Sequence, residues 1–349
     1  MTTTYGDISP RTAAYAVKEL LKRGMPYLVF EKFGQTKPLP KNSSKTIKFR
    51  RYFLKDSSLS TFTPADYFST DNFDPTTKML SEGVTPSATA LDKQDLSATL
   101  VQYGDRVEVS DVVMDTHEDP VLQEAIEILG EQAPIILEKA RFNVLKAGTN
   151  VIYSNGSARA SVNTILALQD LRRAERTLER QLAKTITSVV RSTPAYGTEA
   201  ISPSFVGITH TDMRYNLEKL TGFVDPKDYG TMTPWEGEIG SIGKIRFIGS
   251  TVVEPWRGGG ASGGSNVIET SSVADVYPIL IFAKDAYGIV PLKGKNSIVP
   301  MIVNAKPSDS DPLAQRNHAS WKAMQTTIIL NDSWMVRIEC AVTADGYLT

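Results

Sequence analysis

The sequence predicts an α+β fold. Helix-type and strand-type segments are intermixed without the regular strand–helix alternation of a parallel α/β sheet. One long segment, 120–147, keeps a single apolar stripe at helical spacing, and several short runs such as VYPILIFAK (276–284) have the apolar density of buried strands. The chain has 349 residues, with Lys plus Arg 38 and Asp plus Glu 39, so the net charge is 38 − 39 = −1. A hydrophobic share of 41% and a charged share of 22% exclude disorder throughout, and near-neutral charge excludes a broadly basic nucleic-acid binder. Length suggests about two domains. Cys340 is the only cysteine, which excludes a disulfide-stapled secreted scaffold. The opening MTTTYGDISPRTAA has no apolar signal core. The apolar stretches, Ile279 to Ala283 among them, fall far short of the ~20 residues of a membrane helix. These features predict folding in a reducing cytoplasm.

Taken in order, residues 1–35 begin with a short amphipathic helix (Ala13, Ala14, Val17, Leu20, Leu21) that Gly24 and Pro26 end. Such a helix is marginal alone and reads either as an N-terminal arm or as the first helix of a domain. Residues 36–90 carry Lys37, Lys41, Lys45, Lys48, Arg50, Arg51 and Lys55 around TIKFRRYFL, whose alternation suits a half-exposed strand. The Ser/Thr/Asp/Pro-rich stretch after it holds Phe62, Tyr67, Phe68 and Phe73. Those aromatics argue against plain disorder and for a long loop that orders against a partner. Residues 91–113 read as two strands, or one bent strand, with a turn at Gly104. In 119–147, Asp119 is the N-cap and Pro120 the first helical residue. Leu122, Ala125, Ile126, Leu129, Ala133, Ile136, Ala140 and Val144 form the stripe, Gly148 is the stop, and Pro134 predicts a kink. A second helix is expected over about 164–184, with Arg172, Arg173, Glu175, Arg176, Glu179 and Arg180 on its outer face. SFVGIT (204–209) reads as a strand, Asp212 as the cap of a helix to Leu220, and 237–253 as strand–turn–strand. RGGGASGGSN (257–266) reads as a mobile loop. MQTTIIL and WMVRIECAV read as two strands joined by a hairpin turn at Asn331 and Asp332.

Little of this points to catalysis. His117, Glu118 and Asp119 are metal-ligand types, but they are adjacent and lack the HExxH spacing that puts two histidines on one helix face. Acids at a helix start are explained by capping and the helix dipole. His210 also sits beside a cap. No GxSxG nucleophile elbow is present. Cys340 lies in an apolar strand, where a thiol packs inertly. The glycine loop lacks the GK[ST] ending of a phosphate loop. The basic run Lys37–Lys55 fits an intersubunit contact, a solvated strand or a nucleic-acid contact. The arginine face at 172–180 reads as a solvated face. No catalytic, cofactor or metal residues are assigned. Lys45, Lys48, Arg50, Arg51, Phe62, Tyr67, Phe68 and Phe73 are the candidate assembly-interface residues. A two-part core with an arm, a long loop and a glycine-rich loop, segments whose apolar groups their own domain cannot cover, describes a protein that is completed by assembly.

The order of segments resembles the tailed-bacteriophage major capsid proteins of the Hong Kong 97 fold. SEGVTPSATALDKQDLSATLVQYGDRVEVSDVV (81–113) is similar to their EGVTP segment and following strand, and helix 119–147 to their spine helix. VGITHTDMRYNLEKL (206–220), WEGEIGSIGKIRFIGS (235–250) and DPLAQRNHASWKAMQTTIILNDSWMVRIE (311–339) are similar to a strand–helix passage, a strand pair and a C-terminal signature of the family. The resemblance implies an N-terminal arm (1–35), an extended loop (36–90), a peripheral domain (91–160, completed by 316–349) and an axial domain (161–315). It implies a non-enzymatic subunit, without cofactors, that forms hexamers and pentamers of an icosahedral shell around packaged double-stranded DNA, which it meets by non-specific contact. A scaffolding protein as a separate chain, a portal and scope for a decoration protein would be its partners. The implied location is the virion capsid, assembled in the host cytoplasm without membrane contact. The runners-up are a cellular nanocompartment shell of the same fold and, more remotely, a metal-dependent enzyme.

Overall fold

A computed structural model describes residues 28–40, 42, 44–54, 76, 79–85, 88, 91–116, 121–191, 197–230, 234–292, 298–303, 307 and 312–344. The expected N-terminal helix, the loop aromatics and His117–Pro120 lie outside these residues. The elements are β1 (Gln35–Thr36), β2 (Thr46–Leu54), β3 (Leu91–Thr99), β4 (Val101–Ser110), α1 (Asp111–Thr116), α2 (Val121–Leu145), β5 (Val151–Tyr153), α3 (Leu168–Arg180), β6 (Ile186–Arg191) and β7 (Gly197–Thr209). They continue with α4 (Arg214–Glu218), β8 (Phe223–Val224), β9 (Glu238–Ile242), β10 (Ile245–Gly249), β11 (Glu269–Thr270), β12 (Val273–Ala274), β13 (Tyr277–Phe282), β14 (Tyr287–Pro291), β15 (Val299–Val303), β16 (Arg316–Ile329) and β17 (Met335–Cys340).

The predicted long helix is α2, and it continues through Pro134. Ala125, Ile126, Leu129, Ala133 and Leu137 pack on Ile298 and on Ala319, Trp321 and Ala323 of β16. Further along, the buried face departs from the expected stripe: Val144 is exposed, while Glu138, Arg141, Phe142 and Leu145 are buried. β16 is the axis of the five-stranded sheet. β4 and β15 both pair with 318–322 of β16, so they flank it on opposite sides. β14 pairs with its 325–329 end, and β1 runs parallel to β14.

The second sheet has eight strands in the order β5-β17-β13-β7-β10-β9-β8, with β6 beside β7. Every residue of β13 (YPILIF) and β17 (MVRIEC) is buried. The covered continuous apolar run of 276–284 is thus a central strand, as its composition predicts. Strands from both sides of the expected 160/161 and 315/316 boundaries enter each sheet: β14 and β15 join β16, and β17 joins β13.

Several expectations need correcting. The break in 91–113 falls at Leu100, whose side chain is buried, rather than at Gly104. Gly104 lies inside β4 opposite Lys322, and a Cβ there would stand 2.8 Å from the Trp321 carbonyl oxygen. Close strand approach, not turning, is what that glycine permits. The second helix begins at Leu168, not 164, because Ile165 bridges Ala341 and the Thr164 carbonyl accepts the Ala341 N–H. His210, not Asp212, caps the following turn: its Nδ1 accepts the Asp212 N–H at 3.2 Å, while Asp212 accepts the Tyr277 hydroxyl at 3.1 Å. The glycine-rich stretch is knitted in. Gly260 donates to the Ala274 carbonyl, Ala261 to Val162, and Gly258 to the buried Asp275 carboxylate at 2.7 Å.

The expected hairpin of the last two strands is absent as well. β16 and β17 lie in different sheets. Asn331 caps a single turn, Asp332–Trp334, through its Oδ1 and the Ser333 N–H, and this turn redirects the chain. The earlier passage from β13 to β14 crosses between the same two sheets over Ala283–Ala286. The two crossings are tied together: Leu330 and Asn331 both donate to the Ala286 carbonyl, and Ala283 donates to that of Trp334.

Candidate assembly interface

TIKFRRYFL forms β2, which pairs along its whole length with β3 in an antiparallel ribbon, from Thr46↔Thr99 to Leu54↔Leu91. Among the described residues the ribbon pairs with no other strand. Period-two alternation gives it two faces. Ile47 with Ala98 and Phe49 with Leu96 lie on one face. At its base, Ile47, Ala98 and Leu100 are buried with Leu39 and Val290, and Phe49 packs alongside. Lys48 with Ser97, Arg50 with Asp95 and Tyr52 with Lys93 lie on the other face.

The polar face is basic: Lys48, Arg50 and Lys93 against Asp95 leave 3 − 1 = +2. Arg50 holds Asp95 with two parallel bonds, Nε–Oδ1 2.7 Å and Nη2–Oδ2 2.9 Å. This fork keeps the Asp95 carboxyl below its ordinary pKa and raises that of Arg50. Lys48 is exposed, and Tyr52 is 59% exposed. Lys37 stands 5.5 Å from the centre of the Phe49 ring, joining the incoming segment to the apolar face.

Of the predicted interface residues, the structure brings Lys48 and Arg50 to one face and leaves Lys45 exposed at the base, where its carbonyl accepts the Leu100 N–H. Arg51 pairs with Gln94 by register. Phe62, Tyr67, Phe68 and Phe73 lie outside the described residues, as do His117, Glu118 and Asp119. Among the described residues no three His, Cys, Asp or Glu side chains gather as a metal site, and no helix is long and apolar enough to cross a membrane.

Two buried charge nodes were not anticipated. Glu138 and Arg141, one turn apart on α2, are 0% and 1% exposed. They pair with each other, and Arg141 also reaches the Gln325 Oε1 at 2.8 Å and Glu31 at 3.2 Å. Glu138 Oε2 accepts the N–H groups of Val29 (3.3 Å) and Phe30 (3.0 Å). Tyr287 donates its hydroxyl to the Phe30 carbonyl. The chain emerging from the N-terminal region is therefore pinned to α2, β14 and β16. Burial pushes the Glu138 carboxyl up, opposed by Arg141 and the two N–H donors. In the second node, Arg159 forks onto the buried Glu339 at 2.7 and 2.8 Å and lies 3.6 Å over the Trp256 ring. Arg337 adds a third bond to Glu339 at 2.7 Å. Glu138 and Arg141 lie off the apolar stripe that the spacing marks on this helix, so the sequence left no signal for the first node. The second joins residues distant in sequence and left none.

A family model described as phage capsid protein matches residues 93–338. The chain belongs to the phage capsid protein family. No curated protein sequence matches it. The fold is similar to the capsid of Ralstonia phage GP4, at 11% identity and TM-score 0.61 over 90% of this chain and 91% of that one. It is also similar to the cyanophage Pam1 capsid asymmetric unit (13%, 0.60, 93% of each chain) and to the capsid structure of the cyanophage P-SCSP1u (16%, 0.55, 90% and 88%). The expected α+β capsid fold is the fold observed, consistent with the Hong Kong 97-like arrangement that the motifs imply. The protein is a capsid shell subunit, a structural component of phage virions that assembles in many copies.

Proposed function

We propose that the chain is the major capsid protein of a tailed phage, tiling as hexamers and pentamers into an icosahedral shell around double-stranded DNA and performing no catalysis. Assembly in the host cytoplasm with a scaffolding protein and a portal, and room on the shell for a decoration protein, belong to the same reading. The observation that carries it is the β2–β3 ribbon on a phage-capsid fold. Among the described residues it pairs with no other strand, and it anchors by a small apolar base and presents basic and aromatic groups outward. We read the ribbon, with the aromatic stretch Phe62, Tyr67, Phe68 and Phe73, as the extended loop that contacts a neighbouring copy. The peripheral domain is then α2 with the five-stranded sheet and the axial domain is the eight-stranded sheet, while residues 1–35 serve as the arm. Modest contacts suffice in such a shell, because each copy is held by several neighbours at once.

The test is electron microscopy of the full chain, alone and with a candidate scaffold, beside the variant Lys48→Glu with Tyr52→Asp. Both substituted side chains are exposed, so the variant folds as the wild type does. Wild type is expected to form closed particles and the variant to remain soluble without them. Regular variant particles at wild-type yield would remove the ribbon from the interface. A wild type that stays monomeric in every condition would overturn the shell assignment.

A further inference from the structure

Helix α2 carries large apolar side chains on a second side, away from β16. Ile128, Ile135 and Phe142 stand seven residues apart. At about 100° per residue each step of seven drifts by only about 20°, so the three form one strip. It lies roughly 135° round the helix from the mean direction of Ala125, Ile126, Leu129 and Ala133. One end of the strip is covered: Phe142 is buried, with its ring centre 6.4 Å from that of Phe30. The rest is not. Among the described residues Ile135 is half-buried and belongs to none of the apolar cores, and Ile128 is 64% exposed. The chain that covers Phe142 is fixed there, because the Glu138 carboxylate accepts the N–H groups of Val29 and Phe30. The described chain begins at Leu28. Residues 1–27 therefore set out from the covered end of the strip.

An exposed isoleucine standing alone is ordinary. A strip whose covered end is held by the segment that continues into unassigned apolar sequence is not. Ala13, Ala14, Val17, Leu20 and Leu21 predict an amphipathic helix that Gly24 and Pro26 end. Ala13 and Leu20, and again Ala14 and Leu21, are seven apart, the spacing of Ile128 and Ile135. Two helices lying side by side at that repeat meet at both points. From Arg23 to Leu28 the connector reaches roughly 18 Å at most. Ile135 lies roughly 10 Å along α2 from Phe142, and Ile128 roughly 21 Å. A stripe from Ala13 to Leu21, roughly 12 Å long, that starts within the connector's reach covers both isoleucines. Charge agrees with the fit. Segment 11–23 carries Arg11, Lys18, Lys22 and Arg23 against Glu19, 4 − 1 = +3, and the exposed Glu124 lies on the strip one turn before Ile128. A helix this short is marginal alone, but its tether holds it at high effective concentration beside α2.

We propose that residues 11–23 dock as a helix on the α2 of their own chain, over Ile128 and Ile135. The N-terminal segment then has a seat on the subunit that carries it. The inference goes beyond the shell reading and does not depend on it, since it concerns the single chain before any contact between copies.

The experiment is limited trypsin proteolysis of the unassembled full chain, with cleavage after Lys18, Lys22 and Arg23 followed by mass spectrometry. A synthetic peptide of residues 1–27 supplies the unprotected rate. Cleavage tracks the fraction of open segment, so wild type should be cut at least about tenfold more slowly than the peptide. Ile128→Gln, and separately Leu20→Gln with Leu21→Gln, should bring the rate close to that of the peptide, and Ile128→Leu should keep the protection. Ile128 packs in no core, and the double variant leaves α2 untouched, so both glutamine variants keep the fold. Wild-type cleavage at the peptide rate overturns the proposal, as does protection retained in either glutamine variant. An about hundredfold dilution tests the choice of chain, because a contact within one chain does not respond to concentration and one between copies does. Protection that holds on dilution supports docking on the same chain; protection lost on dilution overturns it in favour of the segment of a second copy.

Discussion

Replacing Arg141 by methionine tests the node that pins the N-terminal segment to α2. The substitution removes the guanidinium that pairs with Glu138 and donates to Gln325. Methionine fills much of the space but leaves a carboxylate with 0% exposure facing only two backbone N–H groups. Removing one partner of a buried pair costs about 3–5 kcal/mol, most of it the uncompensated charge. For 349 residues unfolding as one unit, at about 2.1 cal/mol/K per residue, 1 kcal/mol moves Tm by about 1.4 °C. The expected drop is therefore about 4–7 °C near neutral pH. The loss must also depend on pH. Burial already raises the Glu138 pKa, and Arg141 opposes that rise. Without Arg141 the folded value climbs further above the unfolded value of about 4.3. Folding then takes up a proton, so stability is fully present below the unfolded pKa and is lost as pH rises through the folded one, by about 1.4 kcal/mol per unit inside that window. Urea unfolding of the unassembled chain at pH 5 and pH 8 reads both effects. The double variant with Glu138→Gln should recover most of the loss, because a neutral amide oxygen still accepts from Val29 and Phe30. A loss below about 1 kcal/mol, or an equal loss at both pH values, would refute the reasoning.

Gly104→Val places a Cβ 2.8 Å from the Trp321 carbonyl oxygen and must push β4 off β16. A destabilisation of about 1–3 kcal/mol by urea midpoint is expected, and a wild-type midpoint would show that the strands have slack. Gly260→Val sets a side chain against the carbonyl oxygens of Val162 and Ala274. The loop should detach from its seat, and limited proteolysis should cut within 257–266 faster than in wild type; equal cutting would mean that the seat is not what orders the loop.

What the sequence made legible follows the range of the forces involved. Helix α2, strand β13 and the β9–β10 hairpin were visible because their signals are local. The hairpin turns on Gly243, whose φ of +59° suits the first turn residue of a two-residue connection. The redirection at Asn331 was not visible, because Asn-Asp between two apolar runs also spells a hairpin; only the Ala286 carbonyl and the sheet it belongs to decide otherwise. The glycine-rich loop misled for the same reason. Its composition permits mobility, but its hydrogen-bond partners sit at Val162, Ala274 and Asp275. Lys48 and Arg50 of the candidate interface were legible from strand alternation, and their shared face follows from the β2–β3 register. Glu138 and Arg141 lie off the stripe that the spacing marks on α2, and their burial depends on partners distant in sequence, the N–H groups of Val29 and Phe30 and the side chain of Gln325.

The paired crossings at Ala283–Ala286 and Leu330–Trp334 act on the whole subunit. A single tether between two slabs permits swivelling, whereas two short tethers stitched to each other through the Ala286 and Trp334 carbonyls behave as a double-pinned joint. In the proposed shell of hexamers and pentamers, the difference in angle between the two kinds of corner would then fall on outlying parts such as the ribbon, while the body of each tile keeps its shape.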